Sequence, residues 1–335
     1  MALPLLFIGV AAATGSVGIG KSIKAGMDAT AANKINKNAE TIVEESTDYL
    51  NRQRKACGEA LSRLGEEKLF VLNSTMAGFL DTFTKLKNVD FRDSEGLDEL
   101  KKLHVDSNTF AEMKSLVSFA GSVAGGAVAG TAGGALAAFG AFGAAQALAA
   151  ASTGTAISAL SGAAATNATL AFFGGGSLAA GGLGVAGGTA VLGGLVAGPA
   201  LMVLGFVAGA AAKKNLDKAY TNQAEAFQIA AQLNQAAWEC DAIRRRTYMF
   251  YNLLARLDSY FLPLIYRMED IVKAEGDDYR LFKTDSKKVI ASCASTAVSI
   301  KTVLDTPLLT DEGLLTEGSG IVAAETEKKL TGMQS

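Results

Sequence analysis

The stretch FYNLLARLDSYFLPLIYRMEDI, residues 250–271, decides the fold: Phe250, Leu254, Leu257, Phe261, Leu264, Met268 and Ile271 step along it by 4 and 3. An α-helix turns once in 3.6 residues, so these side chains fall on one face. The stretch lies within 66 glycine-free residues between Gly209 and Gly276, room for one long helix with a kink expected at Pro263. Upstream, Leu72, Met76, Phe79, Phe83 and Leu86 repeat the same steps inside a run of mixed charge from about Met27 to Asn88. No segment alternates β-branched and polar residues between turn dipeptides, so the pattern predicts an all-α chain. The two stripes are expected to pair as an antiparallel, coiled-coil-like core, giving an elongated bundle of long amphipathic helices.

Between these arms lies a stretch of another kind. From 115 to 212, flanked by Lys114 and Lys213, 98 consecutive residues include no Asp, Glu, Lys, Arg or His, and 55 of them are Gly or Ala. Such a run has to face lipid, other chains or itself. Glycine costs a helix about 1 kcal/mol against alanine, a loss recovered where backbones approach closely. Gly126, Gly130 and Gly134 form a small-xxx-small ladder, and Gly121 with Gly125, Gly194 with Gly198, and Gly205 with Gly209 repeat its i, i+4 spacing. These are the expected helix-packing residues. Breaks at Ser152–Gly154 and Gly174–Ser177 divide the centre into three or four helices, and residues 189–212 are long and aliphatic enough to cross a bilayer. Lysines at both borders favour an even number of crossings, as in a helical hairpin.

The resulting organisation is an apolar N-terminal helix at 1–26, an amphipathic arm and linker at 27–108, the Gly/Ala-rich apolar segment at 109–212, a second arm at 213–305 and a flexible tail at 306–335. Thr109 and Glu112 have the spacing of a capping box opening the helix that leads into the centre. Residues 286–305 read as a shorter helix stopped before Pro307. A net charge of −2 offers no field for nucleic acid. Cys57, Cys240 and Cys293 are odd in number and set in helical patterns, as reduced thiols would be. The uncharged residues 2–20 lack the leading Lys or Arg of a secretory signal, which disfavours secretion without excluding it.

Chemistry is sparse. Residues 15–22 read GSVGIGKS, matching the phosphate-binding pattern in which Gly15 and Gly20 shape the loop, Lys21 reaches the phosphates and Ser22 holds Mg²⁺. That loop needs a parallel sheet and a second strand ending in Asp, where this chain offers only Leu69–Asn73 in a helical pattern, so a nucleotide switch ranks third among the readings. His104 is the only histidine and lies in a polar linker, and carboxylates such as Glu66 and Glu67 read as solvent-facing helix charges. Trp238, Tyr248, Phe250, Tyr251, Tyr260, Phe261 and Tyr266 read first as bundle core and second as an interfacial belt. No catalytic residue, metal, cofactor or small-molecule substrate is expected.

The segment STGTAISALSGAAATNATLAFFGGGSLAAGGLGVAGG, Ser152 to Gly188, resembles one found in a family of uncharacterised bacterial proteins with a short apolar N-terminus and long charged helices on either side. That resemblance implies a bacterial origin and brings no activity with it. An apolar helical head between amphipathic helices is also similar to the plan of α-helical pore-forming toxins, a likeness of architecture without a shared motif. It implies a head that leaves the soluble form and inserts on oligomerisation. The expectation is therefore a non-enzymatic, bacterial membrane-associating protein, a pore or scaffold, with a lipid bilayer and further copies of itself as partners and a place on or near the cytoplasmic side of the membrane. The alternative is a soluble homo-oligomeric scaffold with the apolar segment buried.

Overall fold

A computed structural model of the chain describes residues 21–91, 107–124, 140, 216–310 and 314–334. Among these residues the fold is all-α. Helix α1 (Lys21–Val71) runs unbroken across the boundary expected at 26/27 and passes through a single π turn (Leu72–Met76) into α2 (Ala77–Phe83), while residues 1–20 of the expected N-terminal helix lie outside the described residues. Helix α3 is Ser107–Ala124, and α4 is Leu216–Glu275, continuous through the exposed Pro263. A 3₁₀ turn at Tyr279–Leu281 leads to α5 (Thr284–Asp305), and α6 is Glu317–Gln334. The tail expected to be flexible thus carries a helix docked on the rod. Arg256 Nη1 donates to both carboxylate oxygens of Glu327, at 2.7 and 2.8 Å, and Arg246 Nη1 donates to Ser319 Oγ at 3.2 Å.

The two long stripes do pack on each other, but parallel. Asn222 Nδ2 donates to Asn36 Oδ1 (3.1 Å), the Thr75 hydroxyl donates to the Asp258 carboxylate, and Lys87 N donates to Asp277 O (2.7 Å). The offsets between partners are 186, 183 and 277 − 87 = 190, nearly constant, whereas an antiparallel pair would hold the sum constant. The antiparallel expectation assumed a short return between adjacent helices. Here 132 residues, 84–215, separate the two, enough to travel back along α1 before α4 begins. Helix α3 provides the first part of that return: Phe110 stacks on Phe83 with centroids 4.8 Å apart and Asn73 Nδ2 donates to Ala120 O at 3.2 Å, so α3 runs against α1. Helix α5 likewise runs against α4.

Side-chain size along the seam sets how many helices meet at each level. In the first half of the rod small residues recur at the buried positions, with Ala32 and Ala39 facing Ala219, Ala226 and Ala230, and among the described residues α1 and α4 pack there on each other alone. In the second half Phe79, Phe83, Phe250, Phe261 and Met268 need a wider core, which α3, α5 and α6 complete. The predicted stripes are this core: Leu72, Met76, Phe79 and Phe83, and Phe250, Leu254, Leu257, Phe261, Leu264 and Met268, are buried, and the end members Leu86 and Ile271 are partly buried against it. At the far end Lys87 bridges to Asp278 between the two chain reversals, its carbonyl accepting from Tyr279 N at 3.1 Å, and Phe91, Tyr279 and Phe282 close the tip.

Candidate functional site

The uncharged centre meets the rod where α3 ends, and the rod is most polar inside at that level. Lys68 occupies a seam position, four residues from both Leu64 and Leu72, and is fully buried. Its Nζ donates to Leu304 O in the last turn of α5 at 3.0 Å. Carbonyls at a helix C-terminus have no intrahelical partner and carry partial negative charge, so an ammonium fits there. Burial nevertheless pushes Lys68 down from the ordinary lysine value to about 7, with the charge of Asp305 acting the other way. Burial raises the Asp305 carboxyl, and Lys301 opposes that rise. Lys301 Nζ bridges Asp305 Oδ2 at 2.5 Å and Glu112 Oε2 at 2.8 Å. Burial works to lower Lys301, but its bonds to Asp305 and Glu112 outweigh that and raise it.

Two lysines and two carboxyl groups thus join α1, α3 and α5. Glu112, which the sequence assigned to a capping box, pairs instead with Lys301, and α3 already begins at Ser107. Gly140 lies on the same end of α5. Its φ is +81°, and a Cβ there would stand 2.4 Å from the Asp305 carbonyl oxygen, so only glycine fits. Gly140 is therefore a further residue of the uncharged centre seated on the rod, beyond residues 115–124, which α3 already packs against α1. Beside it a cleft of about 450 Å³ separates the end of α5 from the first turn of α6, lined by Thr302, Asp305, Thr306, Thr316 and Ser319. Among the described residues Asp305 Oδ1 has no hydrogen-bond partner.

The π turn sits next to this cluster. A π turn inserts a residue into the helical ladder and widens it locally. Here it carries Thr75 to Asp258 and Asn73 to Ala120, tying α1 to α4 and α3 together. Burial raises the carboxyl of Asp258, and it raises Glu67 as well, aided by the neighbouring Asp258 charge.

Of the expected helix-packing glycines, Gly121 lies on α3, where an added Cβ would be 3.9 Å from Asn73 Oδ1, an ordinary contact. Gly125, Gly126, Gly130, Gly134, Gly194, Gly198, Gly205 and Gly209 lie outside the described residues, as do Gly15, Gly20 and His104. Lys21 and Ser22 form the start of α1, no strand occurs among the described residues, and Leu69–Asn73 belong to α1 and its π turn. Cys57, Cys240 and Cys293 are buried free thiols; burial, reinforced by Cys240, pushes Cys57 up to about 12, which keeps it protonated and unreactive. Phe250 and Phe261 are core as expected, whereas Trp238 and Tyr266 are exposed. Sequence reasoning missed Lys68 because a lysine in a charged helix reads as solvent-facing. Its i ± 4 leucines were the available signal.

No helix among the described residues is long and apolar enough to cross a membrane. Comparison of the chain with family models, with curated proteins and with solved structures finds no match.

Proposed function

We propose that the chain is a non-enzymatic, membrane-associating helical protein whose rod carries its uncharged stretches to a bilayer. The parallel register of α1 and α4 supports this reading most directly. Lys21 and Leu216 both stand at the rod end marked by Asn36 and Asn222. Residues 2–20 lead into the first helix, and the span candidate 189–212 leads through Lys213 and Lys214 into the second, so these two apolar stretches adjoin the same end. An antiparallel pair would have put them at opposite ends. Residues 189–212, as a helix, reach about 36 Å, enough for a hydrocarbon core of ~30 Å. The seat of Gly140 on α5 favours a second reading, a soluble scaffold whose apolar centre stays folded against the rod. In the first reading that seat belongs to a resting form.

Flotation of the full-length chain with liposomes, followed by carbonate washing, separates the two. Under the membrane reading the chain floats and resists carbonate, and Leu201→Arg, placing a charge that costs about 2.5–3.5 kcal/mol mid-span, lowers the floated fraction. A chain that stays wholly in the bottom fraction refutes the membrane reading and leaves the scaffold.

A further inference from the structure

Helix α4 has a second line of apolar residues that α1 does not cover. One position round the helix from the buried seam, Tyr220, Phe227, Trp238 and Met249 lie within about 40° of one another, at 100° per residue. The three aromatics are 56–67 % exposed and Met249 is 48 % exposed. Exposed alanines, Ala224, Ala231 and Ala242, sit between them. Helix α6 takes up the neighbouring face only from Arg246 onward, through the Ser319 and Glu327 contacts. Ahead of that point no described residue covers the line, which extends over about 44 Å at 1.5 Å per residue.

We propose that a second copy of this chain docks here, α4 against α4 and antiparallel, about a two-fold axis between Asn234 and Gln235. The sequence is self-complementary about that point. Trp238 and Ala231 are equidistant from it, as are Phe227 and Ala242, Arg245 and Ala224, and Tyr220 and Met249. Each bulky side chain therefore meets a small one of the other copy, and Tyr220 meets Met249, the fit of knobs into holes. A two-fold interface requires this property of one surface patch. In a parallel pairing every aromatic would oppose itself, the alanine layers would be empty, and the two Arg245 side chains would face each other. In the antiparallel arrangement those arginines lie about 30 Å apart, and each is neutralised on its own helix by Asp241.

The area is adequate. Three aromatics of ~150–250 Å² each, with Met249 and the alanines, offer roughly 400–500 Å² per copy, so the pair approaches the ~1,000 Å² that a specific interface needs. The dimer points the two uncharged ends in opposite directions. Both copies then cannot enter one flat bilayer, so the dimer is a form distinct from the membrane-engaged chain, and it stands whether or not the membrane reading does.

The full chain is followed by sedimentation velocity over a hundredfold concentration series. Trp238, the only tryptophan, reports burial of the stripe through its emission. The expected result is a doubling of mass accompanied by a blue shift. Ala231→Glu and Ala242→Glu, which replace exposed small residues away from the rod core, each weaken the dimer at least tenfold. Oxidation links copies of Asn234→Cys and leaves Ala242→Cys unlinked. Four outcomes overturn the proposal: a monomer throughout; an oligomer whose mass ignores both glutamates; cross-linking of Ala242→Cys but not of Asn234→Cys; or a Trp238 shift that follows phosphatidylcholine vesicles and not concentration, which assigns the stripe to lipid.

Discussion

Replacing Lys68 tests the charged junction most sharply, because its effect has a pH dependence of known sign. Burial lowers this lysine from the ordinary 10.5 to about 7 in the folded rod. Between those values the unfolded chain holds a proton that the native chain has released, so stability rises with pH across this window and is flat below it. From pH 7 to 8.5 the gain from Lys68 alone is about 1–2 kcal/mol, at 1.36 kcal/mol per unit of pKa difference. That interval lies below 9.0, the ordinary thiol value from which burial raises Cys57, Cys240 and Cys293 and above which these thiols act with the opposite sign. Lys68→Met keeps the length of the side chain, removes the buried amine and deletes this slope. Since a buried charge is often replaceable by an apolar group at no net cost, the variant folds at least as well as the wild type at pH 7. Urea unfolding followed by far-ultraviolet circular dichroism at the two pH values reads both quantities. A wild-type midpoint unchanged between pH 7 and 8.5, or an equal slope in Lys68→Met, refutes the reasoning.

Other perturbations probe the remaining contacts. Gly140→Ala forces a Cβ against the Asp305 carbonyl at a positive φ; it lowers stability by about 1–3 kcal/mol, and an unchanged urea midpoint would show that Gly140 is not seated on α5. Phe261→Ala removes a fully buried ring that packs 5.4 Å from Phe79, at a cost of about 3–5 kcal/mol in the same assay. For Arg256 and Glu327, a double-mutant cycle gives a coupling of about 0.2–1 kcal/mol, with faster protease cleavage within 314–334 in either single variant; no coupling and unchanged cleavage would mean that α6 docks by other contacts.

Periodicity alone determined that the described chain is helical and that its two 4-3 stripes form the core. Leu72, Met76, Phe79 and Phe83, and the residues from Phe250 to Met268, are core because a 4-3 spacing has only one way to leave water. Composition showed that residues 115–212 hold no Asp, Glu, Lys, Arg or His. Direction was decided by tertiary structure: amphipathic stripes are equally satisfied by parallel and antiparallel partners, and the polar contacts Asn36–Asn222, Thr75–Asp258 and Lys87–Asp277 select parallel. The charged junction was likewise illegible in advance. Lys68, Glu112, Lys301 and Asp305 come from three helices, and an ordinary lysine or carboxylate in a helix gives no local sign that a helix far along the chain will cover it. Trp238 shows the same limit from the other side. Its spacing agrees with a stripe, but only the course of α1, α5 and α6 decides which of α4's two apolar lines is covered within one copy.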